Sequence, residues 1–177
     1  DEAQETKEQL VSLGGKAHIL QADLNDPQQI ETIIPQSLEF GPLYGLVNNA
    51  SIFDSVSLSD TKLENWEQHM RINLTAPYLL SQKFAEEIHP RNARRIVNIL
   101  DWRALRPGAD HFPYTISKAA LAALTRSLAI ALAPNITVNG LAFGAILPPS
   151  DGGLTVDLLE DVPAKRWADL EEVGQSL

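Results

Sequence analysis

The chain has 177 residues, a formal net charge of −9, 44% hydrophobic residues and no cysteine. That length suits one substantial core in one domain, and the composition is that of an ordinary globular protein. The charge argues against a nucleic-acid or anionic-membrane partner. The lack of cysteine excludes disulfides, thiolate zinc sites and cysteine nucleophiles. The histidines (18, 69, 89 and 111) are scattered and form no metal-binding pair, so no metal is expected.

Residues 1–13 read as a helix ended by Gly14-Gly15. KAHILQ at 16–21 reads as a short buried strand. Asp26 is a good N-cap with Pro27 at the first helical position, and a helix runs from there to about Phe40. LYGLV at 43–47 is a second strand, and Asn48-Asn49-Ala50-Ser51 leaves its carboxyl end. Thr61 to Glu64 fits a capping box opening a long helix to about Ile88, with Pro77 able to bend it. RIVNIL at 95–100 is a third strand, a helix spans about Tyr114 to Ala133, and Ile136 to Leu141 is a fourth strand. Loop and helix follow, with three prolines and Gly152-Gly153 between Leu147 and Ala164. No uninterrupted apolar run approaches the ~20 residues of a membrane helix, and no signal peptide is visible.

Strands alternating with helices, and too apolar to leave a wet face, predict a parallel sheet covered by helices: an α/β, Rossmann-like, doubly wound fold over residues 1–177. Four strands are few for such a sheet, and the chain opens on a helix without an initiator Met. The expectation is therefore a fold incomplete at both ends.

The chemistry concentrates between Asp101 and Lys118. Tyr114 and Lys118 are four apart, on one helix face if the helix has begun. A Tyr and a Lys so spaced are commonly just a solvated face. In a dry cleft, however, the ammonium favours the phenolate and lowers its pKa, and reaching neutrality takes about 3 units, or about 4 kcal/mol. Asp101 ends its strand at the sheet's carboxyl edge, where α/β proteins place ligands.

The string Tyr114-x-x-x-Lys118, opening an Ala/Leu-rich helix after an apolar strand and loop, resembles the short-chain dehydrogenase/reductase family, and the likeness runs from about Gly15 to Val173. The resemblance implies an NADP(H)-dependent oxidoreductase, with NAD(H) left open because no Gly-rich phosphate turn stands among these residues. Tyr114 would be the proton donor or acceptor. Lys118 would lower its pKa and bind the nicotinamide ribose, and Asn73 would hold a water on Lys118 in a proton relay. Asp23-Leu24 resembles the adenine-contacting pair, or Asp23 caps a turn. Asn49, Ala50 and Ser51 would pass close to the cofactor, and Gly144 and Ile146 would meet its carboxamide, with Phe143 standing where the family usually has Pro.

Asp101 departs from the usual Ser and resembles the pteridine reductases, unless it merely caps the next loop. An ionised Asp cannot donate to a substrate carbonyl, but it can accept from an amino-substituted ring. Phe53 resembles the Phe that stacks on a pterin there, or it is a core aromatic. Ser51, Phe53, Asp101, Tyr114 and Leu147 would contact this small-molecule substrate, a dihydropterin or dihydrofolate-like ring. A cytoplasmic homo-oligomer, dimer or tetramer, is expected through the helices at 62–88 and 114–133. The rival readings are a short-chain oxidoreductase for another carbonyl or cyclic substrate, and a non-catalytic paralogue.

Overall fold

The computed structural model describes residues 1–87, 94–144, 146, 159–160 and 164–176. Helix α1 (Glu2–Ser12) starts on the Asp1 side chain, which accepts from the Gln4 N–H at 2.9 Å. It ends where Gly14 turns left-handed at φ 86, a conformation glycine adopts freely, and the Gly14 and Gly15 amides reach back to Val11 and Leu10. Helix α2 (Pro27–Leu38) begins on Asp26, whose carboxylate accepts from the Gln28 N–H at 2.9 Å. Strand β1 is Gly45–Asn48. Helix α3 (Leu63–Met70) passes into a π-turn (Arg71–Thr75) and then into α4 (Ala76–Glu86). Strand β2 (Arg94–Asp101), a 3-10 turn (Trp102–Ala104), α5 (Phe112–Leu132), β3 (Ile136–Phe143) and α6 (Leu170–Ser176) complete the order.

The three strands form one parallel sheet in the order β1-β2-β3. The core lies on one face of it: Ile30 and Ile34 from α2, Ala76, Leu80 and Phe84 from α4, and Ile96, Ile136 and Val138 from β2 and β3. Leu128, Ala129 and Leu132 of α5 close its side. Burying a side chain such as Phe84 or Ile96 contributes about 2–3 kcal/mol. Residues alternating with these, Arg95, Thr137 and Asn139, are exposed. The Rossmann-like architecture is as expected, but among the described residues one sheet face is open rather than covered.

Several expectations need correction. Residues 16–21 form no strand and none of them is buried, because no neighbouring strand offers them hydrogen bonds. The Thr61 capping box does not form. Thr61 Oγ1 donates instead to the Ser57 carbonyl at 2.6 Å, and Lys62 is the N-cap without a side-chain bond. The long helix runs on but changes register inside. Pro77 has no N–H for the carbonyl of Asn73, and the ladder re-registers, with the Ala76 amide bonding Arg71 five residues back. The predicted end of that helix, near Ile88, lies outside the described residues. Finally, α5 is long and apolar enough, by length and composition alone, to cross a membrane, although polar residues interrupt its apolar run. It packs against β2 and β3 and buries Thr115, Ser117, Lys118 and Thr125, as a core helix does.

Candidate active site

Parallel pairing sets the site's level. Asn48 pairs in register with Asn98, and Asp101 with Phe143. The segments after β1, β2 and β3 therefore leave the same edge of the sheet, carrying Asn49–Phe53, Trp102–Ala104 and Gly144 to one end of the molecule. A buried polar chain anchors that end: Asn48 Nδ2 donates to Asn98 Oδ1 at 2.8 Å, and Asn98 Nδ2 donates to Thr125 Oγ1 at 2.9 Å.

Helix α5 brings Tyr114 and Lys118 beneath Asp101. The Tyr114 hydroxyl donates to Asp101 Oδ2 at 3.0 Å. Lys118 Nζ lies 5.7 Å from the Tyr114 ring centroid and donates to the Ile99 carbonyl at 2.7 Å. Tyr114 is 6% exposed and Lys118 2%. Burial lowers the Lys118 pKa to about 8, with the Asp101 charge pulling it back up. Burial also pushes the Tyr114 phenol above its usual range, and the Asp101 charge and hydrogen bond push it further; only Arg103 acts the other way. This corrects the expected phenolate. The ammonium faces the ring and is bound to a carbonyl, while the hydroxyl meets a carboxylate, so Tyr114 is held protonated.

Asn73, 1% exposed, sits inside the π-turn. Its Oδ1 accepts from the Ile52 N–H at 2.9 Å, and its Nδ2 donates to the Ile52 carbonyl at 3.0 Å and to Ser117 Oγ at 3.1 Å. Ser117 in turn donates to the Tyr114 carbonyl at 2.7 Å. The side chain thus ties the loop after β1 to α5, between Tyr114 and Lys118, and it contacts Lys118 only through that frame. π-turns recur at functional sites because they displace a side chain without ending the helix.

Phe53 is brought to Tyr114, with ring centroids 4.6 Å apart and planes at 77°. The imidazole of His111 stacks on Phe53 at 4.1 Å and 9°. Arg103 lies 5.6 Å from the Phe53 centroid and 4.8 Å from that of Trp102, and its Nη2 donates to Asp110 Oδ2 at 2.9 Å. The Arg103 guanidinium, with His111 adding to it, holds the Asp110 carboxyl below the usual carboxylate range. Asp101 also closes its local turn, accepting from the Arg103 N–H at 2.8 Å. Sequence reasoning missed Arg103, Asp110, His111 and Ser117; nothing in their spacing announces them, although each lies between Asp101 and Lys118.

Other predicted residues lie apart from this cluster. Asp23 accepts from the Asn25 N–H at 2.8 Å, the turn-closing arrangement, and Leu24 packs on the core before α2. Asn49, Ala50 and Ser51 are exposed at the end of β1. Gly144 and Ile146 line an open cleft of about 350 Å³ between the end of β3 and α6, with Phe143, Arg166 and Val173. Leu147 lies outside the described residues. Among the described residues no three His, Asp or Glu side chains gather as metal ligands.

The donor chemistry fits the ribose–nicotinamide half of a dinucleotide. A buried ammonium has three N–H donors, and among the described residues Lys118 spends one, on Ile99. Two remain for a pair of hydroxyls. Among the described residues, a Cβ added at Gly144 would meet nothing within 4 Å.

The family model for short chain dehydrogenases matches residues 1–156. The chain belongs to the short-chain dehydrogenase family. Its relatives include an uncharacterized oxidoreductase of Thermotoga maritima, 36% identical over 129 residues, covering 72% of this chain and 50% of that protein. The 2-dehydro-3-deoxy-D-gluconate 5-dehydrogenase of Bacillus subtilis is 30% identical over 159 residues, with 86% of this chain and 63% of that protein covered. Among solved structures, the FolM alternative dihydrofolate reductase 1 of Brucella canis, complexed with NADP, is 33% identical with a TM-score of 0.89, covering 99% of this chain and 70% of that one. The chain thus spans half of one curated relative and under two thirds of the other.

Proposed function

We propose that the full-length protein is an NADPH-dependent reductase of a pterin-like ring. The observation that carries this reading is the Tyr114 hydroxyl donating to Asp101 at 3.0 Å, with Phe53 edge-on to the same Tyr ring. A Ser in place of Asp101 would suit a ketone. A carboxylate suits a ring edge that carries N–H groups, since it can only accept. The likeness to a dihydrofolate reductase complexed with NADP supports the same substrate class and cofactor.

Lys118 holds the nicotinamide ribose with its two remaining donors, and Asn49, Ala50, Ser51, Gly144 and Ile146 border the nicotinamide. The bound dinucleotide supplies the hydride. Tyr114, kept neutral by burial and by Asp101, supplies the proton to the ring nitrogen as the adjacent carbon is reduced. Asp101 accepts from the ring's amino edge, Phe53, Ser51 and Leu147 border the ring, and Asn73 fixes the Phe53 loop against α5. Asp23 and Leu24 face the adenine in this reading. Assembly as a cytoplasmic dimer or tetramer belongs to it too, and exposed Leu63, Tyr78 and Ile130 on α3, α4 and α5 are the apolar groups such contacts would cover.

A second reading, reduction of a sugar-acid ketone, rests on the gluconate dehydrogenase relative. One assay separates them: NADPH oxidation by the full-length protein with dihydropterin, dihydrofolate and keto-gluconates, beside Asp101→Ser. The pterin reading expects ring-dependent turnover that falls about a hundredfold in the variant. Ketone turnover without pterin turnover would overturn it.

A further inference from the structure

Phe53 remains 52% exposed although three groups already lie against it: the His111 imidazole, parallel at 4.1 Å, the edge-on Tyr114 ring at 4.6 Å, and the Arg103 guanidinium 5.6 Å from its centroid. His111 covers one face of the ring, and half of the residue's surface stays in solvent near Tyr114.

The residue that covers the first face is itself held under strain. His111 has φ 50 and ψ 47, a left-handed conformation that residues bearing a side chain avoid and that persists only where the surroundings impose it. It occupies the N-cap of α5, yet its side chain makes no capping bond. The imidazole is committed elsewhere. Its Nδ1 lies 2.9 Å from Asp110 Oδ2, the same oxygen that accepts from Arg103 Nη2 at 2.9 Å. The carboxylate thus fixes the imidazole plane parallel to Phe53.

We propose that His111 is a positioning residue for ring recognition: clamped by Asp110, it braces Phe53 so that its exposed surface meets a flat conjugated ring at the Tyr114 hydroxyl. The substrate class is that of the proposed function, on which this inference rests. The new element is the His111–Asp110 brace, which makes affinity for the ring depend on a residue that the ring need not touch.

The test sets stability against affinity. Glycine adopts φ 50 without strain, so in the full-length protein His111→Gly is expected to hold or raise Tm. It also removes the stack and raises KM for dihydropterin about three- to tenfold, the worth of one aromatic pair, with a smaller effect on kcat. His111→Tyr, which restores an aromatic plane at the strained φ, should recover KM with a Tm no higher than that of the wild type. A purely structural role predicts the reverse, with Tm and apparent kcat falling together and KM unmoved in both variants; that result, or an unchanged KM in His111→Gly alone, overturns the brace. A substrate-free measurement separates this from the enzymatic reading. The His111 Cε1–H proton resonance should move downfield in Phe53→Leu, as the ring current is lost. If it does, and the wild type turns over no pterin, the pterin reading fails while the brace stands. If it does not move, the brace is wrong whatever the turnover.

Discussion

Lys118→Met isolates the cost of keeping an ammonium in this interior. Lys118 is 2% exposed, and burial lowers its pKa from 10.5 to about 8 against the opposing pull of Asp101. The folded protein therefore releases this proton before the unfolded chain does. Between about pH 8 and about pH 10.5 the unfolded state binds more protons, so folding stability rises with pH across that window; below it both states carry the charge and the full penalty applies. At about 1.4 kcal/mol per unit, the gain from about pH 7 to about pH 10 comes to about 2–3 kcal/mol. The assay is urea unfolding of wild type and Lys118→Met at several pH values through that range. Titrations shared by the two proteins cancel in the difference. The Met variant's stability relative to wild type should be greatest near neutrality and should shrink by about 2–3 kcal/mol toward the alkaline end. Parallel curves would refute the argument, since they would mean that the ammonium is not desolvated. Under the proposed function, the same proton loss weakens the hold on the ribose hydroxyls above about pH 8.

Two further predictions follow from the hydrogen-bond geometry. Asp101→Asn removes the charge, and weakens the acceptor, that help keep Tyr114 protonated, so phenolate absorbance assigned to Tyr114 by difference from Tyr114→Phe should appear at lower pH in that background; an unmoved titration would mean that the Asp101 charge does not set it. Asn73→Ala strands the N–H and carbonyl of Ile52 and should cost about 2–4 kcal/mol in unfolding experiments, with amide exchange accelerated around Ile52.

The parts of the fold written in local chemistry were readable in the sequence. Asp26-Pro27 opens α2 and Gly14-Gly15 closes α1 because caps need only near neighbours. The apolar runs at β2 and β3 marked parallel strands for a similar reason. KAHILQ at 16–21 reads the same way and forms no strand, because a strand exists only when something pairs with it. At the site, the spacing of Tyr114 and Lys118 gave their shared helix face but not the sign of the Tyr114 shift. That sign depends on Asp101 reaching across thirteen residues to the hydroxyl, and on the Ile99 carbonyl taking the ammonium. The π-turn was hidden as well. Pro77 announced a missing donor, but whether a helix kinks or re-registers depends on what the displaced residue gains, and here Asn73 gains Ile52 and Ser117.

The buried pair Asn48 and Asn98 has a consequence for how the sheet assembles. Their amides meet only when β1 and β2 are aligned as Asn48↔Asn98. Sliding one strand by a single residue would set Asn48 opposite Val97 or Ile99 and turn the two amides to opposite faces. Apolar neighbours such as Leu46 and Ile96 penalise that error weakly, because another aliphatic group can take their place. A stranded amide penalises it by about 1–3 kcal/mol each. The pair acts as a proofreading mark on an otherwise interchangeable aliphatic sequence: it adds little to the correct structure's depth and much to its distance from the misaligned one. Replacing both by Leu would leave a sheet that still closes but has lost its means of rejecting the wrong alignment.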